Sequence, residues 1–245
     1  METNILEKQM RCWPLYGGGL ALLQAGLLAG CDRTPDVPAP PPVTNMVTPV
    51  VATPAPQGPE RLILAFGDSL YAGYGLDRGQ SLPDALQNRL RKDGINATIV
   101  NAGVSGDTSA AGRQRFAFAL DSLPRKPDLI LLGLGGNDVL RQIAPAETRA
   151  NLTAMMDEAR RRDIPVVLTG MRAPPNLGPE YQAAFDTIWP DLAKTYGAGL
   201  YPFILDGVIG DAALMQRDHV HPNTRGIDRI ADRFTPIILG QLDKG

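Results

Sequence analysis

Two cysteines, two histidines and no long run of either charge or hydrophobicity mark this 245-residue sequence, and each scarcity removes a class of function. Cys12 and Cys31 both fall near the start, and His219 and His221 share one window near the end. A third imidazole and a cysteine cluster, the usual makings of a zinc site, are both missing, so no metal is expected. The 24 basic and 26 acidic side chains are interspersed, for a formal charge of −2. No cationic block is present to engage a phosphate backbone, which argues against nucleic acid as a partner. No internal repeat is apparent. The length and the ordinary apolar content bound a single globular domain with appendages.

The first 31 residues read as an export signal. Arg11 supplies a basic start, an apolar middle runs through Leu20 to Leu28, and small residues follow. Met10, directly before Arg11, is an alternative start, since Glu2 and Glu7 are unusual in such a segment. The apolar stretch is too short and Gly-rich for a span, which needs about 20 apolar residues. Leu28-Ala29-Gly30-Cys31 resembles the bacterial lipoprotein cleavage box, whose Cys becomes the lipid-modified first residue. The plainer alternative is an ordinary signal peptide ending by chance in Cys. With Cys31 lipidated, no cysteine is left for a disulfide, and the protein is expected at the cell envelope, tied to the membrane by its N-terminal lipid.

From Asp32 to Pro59 there are nine prolines, few charges and no aromatic residue, so this segment cannot bury a core and reads as an extended tether. At about 3.1 Å per residue its reach is roughly 85 Å. From Glu60 to Gly245 short apolar runs alternate with amphipathic stretches, the sequence form of βαβ units. Strands are expected at Leu62–Phe66, Ala97–Asn101, Asp128–Leu134 and Ile164–Thr169, with a weaker fifth at Tyr201–Leu205. Their continuous rather than alternating hydrophobicity suits strands covered on both faces. Helices are expected from Ser81 to Gly94, with a Ser cap and an early Pro, and over Ala144–Asp163, Glu180–Tyr196 and Thr224–Leu242. Pro190 and Pro236 should kink or interrupt the last two.

Three polar clusters directly follow predicted strands: Gly67-Asp68-Ser69-Leu70, Gly103-Val104-Ser105-Gly106-Asp107-Thr108 and Gly135-Gly136-Asn137-Asp138. A parallel sheet brings such positions to one carboxyl edge, where ligand sites of open α/β sheets lie. A fourth cluster, Asp218-His219-Val220-His221-Pro222-Asn223, precedes the last helix.

In that order the four blocks resemble those of the GDSL, or SGNH, hydrolase family, through Ser69, Gly103, Asn137 and His221. Met171-Arg172-Ala173-Pro174-Pro175-Asn176 is similar to its arylesterase, acyl-CoA thioesterase and lysophospholipase branch. The resemblance implies a flavodoxin-like three-layer α/β/α sandwich with a mostly parallel five-stranded sheet, no cofactor, and hydrolysis of a small-molecule or lipid ester through an acyl-serine.

Elementary chemistry assigns matching roles. A Ser hydroxyl is a weak nucleophile until a base takes its proton, and imidazole does so near neutral pH. His221 is preferred to His219 because Asp218, three residues earlier, can fix its tautomer. The family often carries Gly where His219 stands, and His219 reads as a rim residue. Negative charge on the attacked carbonyl needs fixed donors, for which the amides of Ser69 and Gly103 and the Asn137 side chain are candidates. Each residue also has a plain reading: Ser69 as a helix cap, Gly103 and Gly135 as turn glycines, Asn137-Asp138 as a cap. Asp68 reads as a brace for the turn, Asp138 as the holder of the Asn137 loop, and Ser105, Asp107 and Thr108 as caps of the next helix. Tyr71, Tyr74, Leu76 and Ala173–Leu177 either line an acyl pocket or belong to the core. Deacetylation of an envelope polysaccharide is the sister reading. A catalytically silent, lipid-anchored binding domain is the rival of another class.

Overall fold

A computed structural model describes residues 57–243, so the expected signal segment, Cys31 and nearly all of the tether lie outside the described residues. Five strands run in parallel in the order β2-β1-β3-β4-β5: β1 (Gln57–Gly67), β2 (Ile95–Gly103), β3 (Leu129–Gly133), β4 (Val166–Thr169) and β5 (Gly199–Tyr201). In the inner strands β1, β3 and β4 the continuous apolar runs are explained by burial on both faces, whereas β2, at the sheet edge, is mostly half-buried. Ile63 and Ala65 of β1 face a layer built on α2 (Leu82–Lys92) and α8 (Thr224–Leu242). Leu64 and Phe66 face the opposite layer, built on α3 (Ser109–Asp121), α5 (Pro145–Arg161), α6 (Pro179–Asp186) and α7 (Ile188–Tyr196). All four β1 side chains are fully buried, and the three larger ones, Ile63, Leu64 and Phe66, each contribute about 1.5–3 kcal/mol. The short helices α1 (Ser69–Ala72) and α4 (Gly136–Leu140) follow β1 and β3 directly. Among the described residues no helix is long and apolar enough to cross a membrane.

Helix starts follow local chemistry. Ser81 caps α2 in a reciprocal capping box with Asp84, and Leu82, Leu86 and Leu90 form its buried stripe. Thr108 caps α3 through a bond accepted from the Ala111 amide, whereas Asp107 pairs with Arg115 and Ser105 lines a cavity, so only one of the three expected caps is a cap.

Four expectations need correction. The tether does not extend to Pro59: β1 begins at Gln57, which pairs with Ile95. Pro59 is tolerated because it lies in an irregular stretch where β3 pairing has not begun, so the N–H it lacks has no partner waiting. The fifth strand ends at Tyr201 instead of starting there, because Pro202 has no amide to continue a ladder and the Ile204 N–H turns back to the Gly170 carbonyl. The stretch Glu180–Tyr196 breaks at Thr187, not at Pro190. Pro190 is the third residue of α7, where amides have no intrahelical acceptor to lose. Pro236 does not interrupt α8, which continues to Leu242 on a face anchored by Phe234 and Ile238.

Two glycines of α8 predict opposite outcomes. A methyl at Gly226 would run into the Leu214 carbonyl oxygen and Pro222, whereas Gly240 has open space around it. Gly226→Ala is expected to lower the melting temperature by roughly 3–9 °C despite its better helix propensity. Gly240→Ala should raise it by about 2 °C. Thermal unfolding followed by circular dichroism checks both, and shifts of the same sign would refute the packing account.

Candidate active site

The ends of β1, β2 and β3 lie level: Gly67 pairs with Gly103 on one side and Gly133 on the other. Tyr71 of α1, fully buried, packs across all three glycines, whose missing side chains leave the room it occupies. Its hydroxyl shares a hydrogen bond with Thr169 Oγ1 of β4 at 3.2 Å, and burial holds the phenol above its ordinary pKa. Asn101 donates from Nδ2 to the Tyr71 carbonyl at 2.8 Å. Helix α1 is thereby fixed on the sheet, with Ser69 at its first turn.

Ser69 Oγ lies 2.9 Å from His221 Nε2, and His221 Nδ1 lies 2.7 Å from Asp218 Oδ2. The other Asp218 oxygen accepts the amides of Val220 and His221, both at 3.0 Å. These bonds, the His221 amide foremost, hold the Asp218 carboxyl down to about 2, against the penalty of partial burial. Chain reversal before the histidine is made at His219, with φ of +57°, the left-handed region that favours glycine. A glycine would adopt this backbone without strain, and the exposed His219 ring lines the cavity without joining the Ser69–His221–Asp218 bonds. The Tyr74 ring lies over His221, with centroids 4.6 Å apart.

Asn137 lines the same cavity, on α4. Asp138 beside it is fully buried and accepts from the Ser109 amide (2.7 Å), the Ser109 hydroxyl and the Thr148 hydroxyl (3.0 Å). It therefore ties α3, α4 and α5 together, which is wider than holding one loop.

Gly103 does not stand where a donor is needed. Its amide donates to Asn101 Oδ1 at 2.9 Å, and it is not among the cavity walls. Gly106, three residues on, is a cavity wall, has φ of +87°, and its carbonyl accepts from Arg141 Nη2 at 2.9 Å. Among the described residues the Ser69 and Gly106 amides and the Asn137 side-chain amide donate to no protein acceptor. Directly after a strand, Gly103 is the glycine that sequence reasoning selects; that the chain must still turn before it faces the cavity is a property of the loop.

The cavity holds about 660 Å³, with walls from Leu70, Val139, Leu140, Met171, Phe203 and Ile209 beside the polar groups. Of the residues left open between pocket and core, Tyr74, Ala173, Pro174 and Pro175 line it, Ala173 from a largely buried position, while Tyr71 belongs to the core. Arg115, which the sequence did not single out, reaches from α3 to the strand ends: Nε to Asp107 Oδ2 (2.6 Å), Nη1 to the Ala102 carbonyl (2.8 Å) and Nη2 to the Gly67 carbonyl (2.9 Å).

Residues 65–229 match the GDSL-like Lipase/Acylhydrolase family. The chain belongs to that family. It is 39% identical over 182 residues to esterase TesA of Pseudomonas aeruginosa, a match covering 74% of this chain and 90% of that protein. It is 35% identical over 170 residues to the thioesterase 1/protease 1/lysophospholipase L1 of Escherichia coli K12, covering 69% and 79%. The solved structure of AlinE4, an SGNH-hydrolase family esterase, superposes with a TM-score of 0.65 at 54% identity, covering 75% of this chain and 97% of that one. The fold is the SGNH hydrolase α/β/α sandwich, and this family member is a carboxylic ester hydrolase.

Asp68, 3% exposed, caps α1 by accepting the Leu70 amide, and burial pushes its carboxyl up to about 6 from 3.8. A folded pKa above the unfolded one means that the native state binds the proton more tightly. Asp68 thus contributes its full stability below about pH 4 and loses it as pH rises through 6, by on the order of 3 kcal/mol. Asp68→Asn keeps an equally good cap and removes the titration. Urea unfolding at pH 4.5 and pH 7 is expected to show the variant gaining on wild type at the higher pH, and a constant difference would refute this.

Proposed function

We propose that Ser69, His221 and Asp218 perform acyl transfer from esters and thioesters to water. The observation that carries this reading is the unbroken relay, 2.9 Å from Ser69 Oγ to His221 Nε2 and 2.7 Å from Nδ1 to Asp218. As Ser69 Oγ attacks the carbonyl carbon, its proton passes to His221 Nε2, and Asp218 stabilises the imidazolium. The amides of Ser69 and Gly106 and the Asn137 side chain receive the developing oxyanion. Collapse expels the alcohol or thiol, which takes the proton from His221. Water, deprotonated by the same imidazole, then attacks the acyl carbon, and collapse releases the acid as Ser69 Oγ takes the proton back from His221.

The apolar cavity suits an acyl chain longer than acetyl, in keeping with aryl esters, acyl thioesters and lysophospholipids, and weighs against a polysaccharide O-acetyl esterase. A silent binding domain has no use for a relay with both of its links made. Ser69→Ala and His221→Ala are each expected to lower kcat by about 10⁴-fold or more on p-nitrophenyl esters, and Asn137→Ala by about 10²–10³-fold. His219→Gly should remain active. Wild-type rates should rise from acetyl towards octanoyl, each buried methylene contributing up to about 0.8 kcal/mol. A maximum at acetyl would favour the deacetylase, and an active Ser69→Ala would dismiss the relay.

The N-terminal reading completes the proposal: residues 1–31 as a signal peptide, Cys31 as the lipidated residue, a tether from Asp32 and the hydrolase domain held to an envelope membrane. Cys31→Ser is expected to leave the protein unprocessed or to move it from the membrane to the soluble fraction on cell fractionation. Unchanged membrane association would remove the anchor.

A further inference from the structure

We infer that Arg115 is a positioning residue that sets the spacing of the oxyanion donors by clamping the nucleophile turn to the donor loop. The inference rests on the acyl-transfer reading above and extends it to a residue outside the cavity wall.

Where β1 and β2 end, their ladder stops and carbonyls are left pointing at no further strand. The Gly67 carbonyl, one residue before Asp68-Ser69, accepts from the Val104 amide at 3.0 Å and from Arg115 Nη2 at 2.9 Å. The Ala102 carbonyl, at the root of the loop that carries Gly106, accepts from Nη1 at 2.8 Å. Nε takes the Asp107 carboxylate, next to Gly106, at 2.6 Å. One planar group therefore holds the turn before Ser69 and both flanks of the Gly106 loop. Its plane is fixed in turn by the Phe66 ring, 3.9 Å from the guanidinium carbon. The Arg115 side chain is 25% exposed and Asp107 13%, so water competes weakly for these bonds.

Three acceptors in one plane need a fork of fixed donors. Lysine offers a single point charge and can keep Asp107 but not both carbonyls. The Ser69 and Gly106 amides are rigid parts of the two pieces that Arg115 joins. Loosening the joint changes their separation without touching the relay or the apolar walls. Such a change acts on the transition state, where the oxyanion exists, and little on ester binding.

The test compares Arg115→Ala, Arg115→Lys, Ser69→Ala and wild type on p-nitrophenyl butyrate, with kcat normalised to sites titrated by a fluorophosphonate and melting temperatures measured alongside. Arg115→Ala is expected to lose about 10–100-fold in kcat with KM within about threefold, Arg115→Lys to lie between it and wild type, and millimolar guanidinium to restore part of the alanine variant's rate. A merely structural role would lower the melting temperature and the number of titratable sites while leaving kcat per site unchanged. Should the alanine variant not fold, the lysine variant carries the test, because it keeps the charge opposite Asp107. A kcat per site within twofold of wild type in the folded variants, with Ser69→Ala inactive, overturns the positioning role alone. An active Ser69→Ala overturns the acyl-transfer reading beneath it.

Discussion

The whole site depends on one packing constraint: Tyr71 lying on the glycines that end three adjacent strands. Gly67, Gly103 and Gly133 stand in lateral register, and a side chain on any of them would occupy the space of the Tyr71 ring or backbone. In close-packed interiors such space cannot be shared. The ring therefore sets the height of α1 above the sheet, and α1 begins with Ser69. Register does the rest. Loops leaving at one level deliver a hydroxyl, backbone amides and the Asn137 carboxamide to one volume, although they are tens of residues apart in sequence. The fourth participant, the His221 loop, joins from outside the sheet. It is held by the Gln216 amide on the His221 carbonyl (2.7 Å) and by Gln216 Nε2 on the Tyr74 carbonyl (2.7 Å), which couples it to the segment after α1.

Three aspartates near the site are separated by their surroundings. Asp218 accepts two amides and the imidazole, so its charge is matched and its carboxyl stays ionised. Asp68 caps a helix of four residues from a buried position, so its charge is poorly matched and its carboxyl rises. Asp138 is buried deeper still, but the Ser109 amide and hydroxyl and the Thr148 hydroxyl surround it. Only the exposed member of the three is within reach of a histidine ring, which is the arrangement a proton relay needs: an anion that stays an anion beside the imidazole.

Much of this is legible in the sequence where local chemistry decides. Continuous apolar runs locate the inner strands β1, β3 and β4 because burial on both faces leaves no reason to alternate, and Ser81 with Asp84 announces α2 because caps are short-range. Asp218 and His221 are readable as a pair because three residues of separation suffice to bring them together. Reading fails where tertiary context chooses among equals. Gly103 and Gly106 are alike in composition, and only the course of the loop shows that the first amide is taken by Asn101 while the second residue lines the cavity with its amide claimed by no described acceptor. Tyr71 reads equally as pocket or core until its glycine floor is known. Pro190 and Thr187 exchange roles because a proline in a first turn breaks nothing. Arg115 sits in a helix whose spacing says nothing of the three acceptors it will meet.

The strand that carries the nucleophile also fixes how the proposed anchor and the site relate. β1 begins at Gln57, where the tether would enter, and ends at Gly67, beside the nucleophile turn. Eleven residues at about 3.3 Å each put roughly 36 Å between the two. A parallel sheet allows no other outcome, since chain entry at the amino edge and chemistry at the carboxyl edge are consequences of strand direction. A domain anchored on a short linker would thus present its site away from the membrane. With Gln57 to Pro59 taken into the strand, 25 residues from Asp32 remain, spanning up to about 78 Å if extended as polyproline. That is about twice the length of β1, so a proposed lipid anchor on such a linker would let the cavity face either the membrane surface or the aqueous space beyond it. On that proposal, the proline content of residues 32–56, a composition unsuited to a buried core, is what would supply that choice.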